Sequence, residues 1–171
     1  MRQLGRLFVG PLSEFPNGGA RFYVNNGGVI HALASLGSST NASSFNTWIN
    51  GTQDFTQYGV SNVAQSSDLG SAAWTFNGVT KTRVFYQTTD GSIRAMMCCS
   101  GSAGIAWDVD PTIIANAPLG AVIEAFQASD STGTAIVLVS WQNALGQLTE
   151  RWTADINDIA ASWSPPIVVS T

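Results

Sequence analysis

Residues 82–107 read Thr82-Arg83-Val84-Phe85-Tyr86-Gln87-Thr88-Thr89-Asp90-Gly91-Ser92-Ile93-Arg94-Ala95-Met96-Met97-Cys98-Cys99, then a Ser/Gly/Ala loop that closes on Ala106-Trp107. Arg83, Phe85 and Gln87 alternate with Val84 and Tyr86, the period-two pattern that gives a strand two different faces. Asp90-Gly91 is a strong hairpin turn, and residues 93–97 form the returning strand. The stretch reads as one hairpin with a third strand ending at Trp107.

The chain writes this hairpin three times. A first copy runs through Arg21-Phe22-Tyr23-Val24, a turn at Asn25-Asn26-Gly27-Gly28, a return at Val29-Ile30-His31-Ala32-Leu33, a polar loop, and residues 45–48 ending on Trp48. The second opens at Leu69-Gly70-Ser71-Ala72-Ala73-Trp74 and passes through the central hairpin. The third opens at Leu119-Gly120, continues as residues 136–142, turns at 143–146, returns over 147–152, and ends with a strand at 160–163 that carries Trp163. Leu7-Phe8-Val9 is a further expected strand, and residues 49–69 form a polar connector with room for one short strand.

Units of about 50 to 60 residues, made of short alternating strands with a tryptophan at a fixed place, are the pattern of propeller blades of about four strands each. The expected fold is all-β and a single domain, with blade repeats at 20–48, 69–107 and 119–163, and edge strands from 1–19 and 164–171. Three blades are too few to close a ring, since propellers use about four to eight. The open edges are therefore expected to be covered by a second chain, giving a six-bladed homo-oligomeric ring. A self-contained sandwich is the alternative.

Composition narrows the function. The 171 residues carry seven Lys+Arg against eleven Asp+Glu, so there is no basic stripe to neutralise phosphates and nucleic acid is not an expected partner. No apolar run reaches the about 18 residues of a membrane helix, and residues 1–15 lack the apolar core of a secretory signal. Cytoplasmic synthesis, with non-classical export if any, is the corresponding expectation. Cys98 and Cys99 are adjacent, which disfavours an ordinary disulfide and is too few for a zinc site. Asn41-Ala42-Ser43 and Asn50-Gly51-Thr52 match the glycosylation sequon, and are read as chance in a polar loop without a signal peptide.

Arg83-Val84-Phe85-Tyr86-Gln87 with Asp90-Gly91-Ser92-Ile93-Arg94, the preceding Leu69-Gly70-Ser71-Ala72-Ala73-Trp74, and Leu148-Thr149-Glu150-Arg151-Trp152 resemble the blades of fucose-binding lectins of the Aleuria aurantia lectin type. The resemblance implies six blades in a ring and a fucose site between neighbouring blades. It implies an Arg on the outgoing strand, a Glu on the returning strand, and aromatic residues of the adjoining blade stacked on the sugar. Guanidinium and carboxylate fix hydroxyls by charge-assisted hydrogen bonds, while an indole covers the apolar face. In this sequence the pair is split: the first copy has Arg21 but Ala32 where the Glu is expected, the second has Arg83 but Ala95, and the third has Glu150 but Leu138 in the Arg place. The losses are offset, if at all, by Gln87, Tyr23, Tyr86, Gln142 or Arg151.

The expected sugar contacts are thus Arg21, Arg83, Glu150, Tyr86, Gln87 and the recurring Trp48, Trp107 and Trp163. Arg21 and Arg83 are read as one recurring strand position, serving either a ligand or an inter-blade salt bridge, and the tryptophans serve blade packing as readily as a sugar. Trp74, Trp141 and Trp152 are read as core. Glu150 beside Arg151 is also consistent with a surface ion pair. An enzyme is not expected: His31 is the lone histidine, nucleophile and metal motifs are absent, and Asp108 and Asp110 read as a post-strand turn rather than a glycosidase pair. No cofactor or metal is implied. The expected function is non-catalytic binding of fucose or a related glycan, with a structural or protein-interaction propeller subunit as the alternative.

Overall fold

The computed structural model describes residues 11–12, 15–35, 48–98 and 107–170, and for residues 11–21, 33–35 and 48–54 the backbone alone. The expected strand at Leu7-Phe8-Val9 and the sequon at Asn41 lie outside the described residues. The chain forms three antiparallel sheets, each following the sequence order of its strands. Blade 1 contains β1 (Pro11–Leu12), β2 (Phe15–Val24), β3 (Ile30–Ser35) and β4 (Trp48–Asp54). Blade 2 contains β5 (Gly70–Phe76), β6 (Val79–Gln87), β7 (Ser92–Cys98) and β8 (Trp107–Val109), with β9 (Ala115–Asn116) pairing β7 further along. Blade 3 contains β10 (Ile123–Ser129), β11 (Ala135–Gln142), β12 (Leu148–Thr153) and β13 (Ile167–Val168). This is an all-β arrangement of propeller blades.

The turns explain why the hairpins recur. Asn25, Asp130 and Asn143 each accept two backbone N–H groups with Oδ1: Gly27 and Val29, Thr132 and Thr134, and Leu145 and Gln147, all at 2.8–3.0 Å. Each turn then passes through a glycine with φ between +72° and +84°. Side-chain capping of a turn plus a residue free to adopt positive φ is the chemistry that such sequences encode. In the central hairpin Asp90 takes the cap role, accepting Ser92 N at 3.0 Å and the Thr88 hydroxyl at 2.6 Å. These bonds hold its carboxyl down at about 2.

Two apolar seams join the blades. Phe22, Ile30, Phe55, Val84, Tyr86, Met96, Cys98 and Trp107 fill the seam between blades 1 and 2. Ala72, Trp74, Phe85, Ile93, Ala95, Met97, Ile123, Val137, Val139 and Trp141 fill that between blades 2 and 3. Blade 2 is buried on both faces, so the alternation along β6 sorts residues between two neighbours rather than between core and water. At the inner edge Gly70 lies so close to blade 3 that a Cβ would sit 3.0 Å from Ile123 Cγ2 and 3.2 Å from the Ala125 nitrogen.

Several sequence expectations shift. Gly70 opens β5, whereas Leu119-Gly120 lies in a turn ahead of β10, so the shared dipeptide marks two different places. Trp107 begins the third strand of its hairpin unit instead of ending it, and no strand forms at 160–163; β13 supplies that edge at Ile167–Val168. Cys98 is disulfide-bonded, against the expectation drawn from the adjacent cysteines. Trp74 and Trp141 are core, but Trp152 is 41% exposed because no sheet covers its face of blade 3. Among the described residues no helix is long and apolar enough to cross a membrane.

Candidate functional site

The site is built on β6. Arg83 pairs in register with Met97 on β7, and Phe85 pairs with Ala95, so these four share one face. That face looks at blade 3, and Arg83 is fully buried there. Its Nη2 donates to the Asp158 carbonyl oxygen and, at 3.6 Å, to Met97 Sδ. The guanidinium carbon lies 5.6 Å from the centre of the Trp163 ring. Trp163 in turn meets Phe85 edge-on at 5.7 Å.

The segment of blade 3 that reaches over Arg83 is held at several points. Trp74 of blade 2 donates to Asn157 Oδ1 at 3.2 Å, and Asp155 accepts from Ser162 N at 3.4 Å. Arg151 donates to the carbonyls of Ile114, Trp163 and Ser164, the Trp163 bond measuring 3.1 Å. Arg151 thereby ties the Trp163 backbone to blade 2. It does not pair with Glu150, because adjacent strand residues face opposite ways.

Asp110 completes the cluster. Its backbone N–H donates to the Ala95 carbonyl at 2.9 Å, which places it beside Ala95. Its Oδ1 accepts Thr112 N at 2.8 Å. Burial pushes the Asp110 carboxyl up, against the opposing pull of the Thr112 groups, the Arg83 charge and the Trp163 indole. Burial likewise pushes Arg83 down, while Asp110 and Asp158 pull it back. Four polar atoms in this seam have no hydrogen-bond partner: Arg83 Nε and Nη1, Asp110 Oδ2 and Trp163 Nε1. Asp110 and Trp163 are close enough to interact but do not meet in hydrogen-bonding geometry.

Of the expected sugar residues, the structure thus brings Arg83 and Trp163 together. Gln87 lies on the same face but is consumed: its Nε2 donates to the carbonyls of Gly91, Ala117 and Pro118, and its Oε1 accepts Gly120 N at 2.9 Å. Tyr86 and Trp107 face blade 1 instead. Tyr86 lines a polar cleft of ≈ 390 Å³ with Asn62, Thr88, Asp90 and Arg94, and Trp107 packs against Phe22 and Phe55. Glu150 sits on the outer face of blade 3, accepting the Ser140 hydroxyl at 3.1 Å. Trp48 begins β4.

Arg21 is not the counterpart of Arg83. Counting back from the turns, Ala20 opposite Ala34 matches Arg83 opposite Met97 and Leu138 opposite Trp152. Arg21, opposite Leu33, is one residue out of register, and one residue exchanges the two faces of a strand. In sequence Asp110 reads as a turn residue, and its Thr112 cap bears out the turn, but contact with Ala95 arises only once the sheet closes. Among the described residues no group of three His, Cys, Asp or Glu side chains is disposed to hold a metal. His31, the lone histidine, shares a hydrogen bond of 3.0 Å with Asn25.

No family model matches the sequence, and no curated protein is significantly similar to it. Solved structures do match. AofleA from Arthrobotrys oligospora superposes with a TM-score of 0.63 at 14% identity, over 90% of this chain and 38% of that one. The BP39L lectin of Burkholderia pseudomallei gives 0.61 at 23% identity, over 91% of this chain and 38% of that one. A fucose lectin from Kordia zhangzhouensis, solved with methyl-fucoside, gives 0.52 at 17% identity, over 90% of this chain and 100% of that one. The chain thus spans little more than a third of the first two and the whole of the third. By fold, this is a chain of propeller blades of the kind found in these lectin structures.

Proposed function

We propose that the chain is a non-catalytic carbohydrate-binding protein, and that the seam between blades 2 and 3 takes fucose or a related neutral sugar. The observation that carries this is the set of partnerless polar atoms around Arg83. A buried donor or acceptor left unpaired costs about 1 to 3 kcal/mol, so four in one seam call for a molecule that pairs them. An arginine, an acid and an indole are the groups that recognise a sugar's hydroxyls and its apolar face. The Kordia structure, which holds methyl-fucoside in a chain wholly spanned by this one, supports the reading. Tryptophan fluorescence titrated with methyl fucoside tests it: saturable quenching in the parent and its loss in Arg83→Ala are expected.

The chain is further proposed to complete a six-bladed ring with a second copy. At the positions where blade 2 buries Ala72, Ile93 and Met97 under blade 3, blade 3 exposes Phe126, Leu148 and Trp152. An uncovered apolar face continuing an existing inter-blade pattern is suited to another blade. The alternative is a structural subunit with no ligand. It is favoured by the Arg83 bond to the Asp158 carbonyl, which makes the arginine an inter-blade tie. A glycan array on the native assembly separates the two.

A further inference from the structure

We infer that Asp110 supplies the carboxylate of the Arg83 site in place of the residue at position 95, and that the seam therefore selects a neutral, hydroxyl-rich ligand over an acidic one. This rests on the proposed sugar-binding role of Arg83. Ala95 shares the face of Arg83 and offers no functional group. The next residue outward, joined to it by the 2.9 Å bond from Asp110 N to Ala95 O, brings an acid from the turn after β8 to the same spot. Asp110 is as fully buried as Arg83. An aspartate needed for the Thr112 turn alone would satisfy that task from the surface.

The division of labour within the carboxylate is specific. Oδ1 caps Thr112, while Oδ2 has no partner. Arg83 spends Nη2 on Asp158 and Met97, leaving Nε and Nη1 free. Arginine and aspartate attract each other without meeting in a hydrogen bond. With the Trp163 N–H, the seam presents three donors and one acceptor. A hydroxyl both accepts and donates, so adjacent hydroxyls of one sugar ring match this set. A carboxylate or phosphate only accepts, and would leave Oδ2 facing another anion. The Arg83 charge is already balanced by Asp110, so an acidic ligand gains no net attraction.

The test uses the full chain titrated with methyl fucoside and, separately, with glucuronic acid, for the parent and Asp110→Asn, Asp110→Glu and Arg83→Ala. Asn has the shape of Asp and can keep the Thr112 cap through its carbonyl oxygen. The expected result is that Asp110→Asn weakens methyl fucoside by about tenfold or more, with circular dichroism unchanged. Asp110→Glu is expected to retain more affinity than Asn, and glucuronic acid to bind the parent more weakly than the fucoside. If Arg83→Ala abolishes binding while Asp110→Asn binds as the parent does, a water serves Oδ2 and the assignment of Asp110 is overturned with the Arg83 site intact. If the parent binds no neutral sugar at all, both proposals fall.

Discussion

Trp163 meets Phe85 edge-on at 5.7 Å and 78°, and Trp107 meets Phe22 at 5.7 Å and 75°. Phe85 and Phe22 are register equivalents, opposite Ala95 and Ala32. Trp107 and Trp163 are therefore wedges from blades 2 and 3 into the blade before each, and what distinguishes the second seam is Arg83 where blade 1 has Ala20. Packing and ligand contact separate accordingly. Trp107→Ala is expected to cost about 3 to 5 kcal/mol as a buried large-to-small change and to leave sugar affinity of the folded fraction unaltered. Trp163→Phe is expected to keep most of the contact with Phe85 and weaken sugar binding through the lost N–H. Urea melts and calorimetric titration with methyl fucoside on both variants check this.

Gln87 is expected to be a stability residue. Its side-chain amide serves Gly91 in the β6–β7 turn and Ala117, Pro118 and Gly120 on the route from blade 2 to blade 3. Gln87→Leu strands several buried backbone groups and is expected to lose about 2 to 4 kcal/mol. A urea midpoint close to that of the parent would contradict it.

Alkaline pH is expected to probe the first seam. Burial lifts the Tyr86 hydroxyl from 10.0 to about 12, with Arg94 pulling the other way. The unfolded chain releases this proton first, so the contribution of Tyr86 is complete below pH 10 and is lost as pH rises through about 12. Thermal melts between those limits should fall more steeply for the parent than for Tyr86→Phe.

Blade 3 offers a test of assembly. Trp152 and Phe126 are 41% and 47% exposed on its outer face. Trp152→Glu places a charge where a second copy is proposed to pack, at a position already open to solvent. The expected outcome is a shift in light scattering from twice the 18.0 kDa chain mass to one chain, with the β-sheet signal retained. A monomeric parent at micromolar concentration would remove the two-chain ring.

The hairpins were legible because local chemistry writes them. Asp90-Gly91 and Asn143 with Gly146 carry turn caps and positive-φ glycines that no distant contact has to supply. Alternation along 83–87 gave the two faces correctly. Register across copies was less legible, since Arg21 and Arg83 look alike in sequence while a single-residue offset separates them. The fate of Gln87 and Arg151 was hidden for another reason: their partners are backbone carbonyls in loops, which no side-chain motif records. Asp110 was visible as a turn residue, but its approach to Ala95 depends on the β7 edge.

The central claim is that the Arg83 seam binds a neutral sugar, and equilibrium titration of the native assembly with methyl fucoside, followed by tryptophan fluorescence for parent and Arg83→Ala, tests it most directly. Saturable quenching in the parent that disappears in the variant is the predicted result. No response in the parent, or the same response in both proteins, would contradict it.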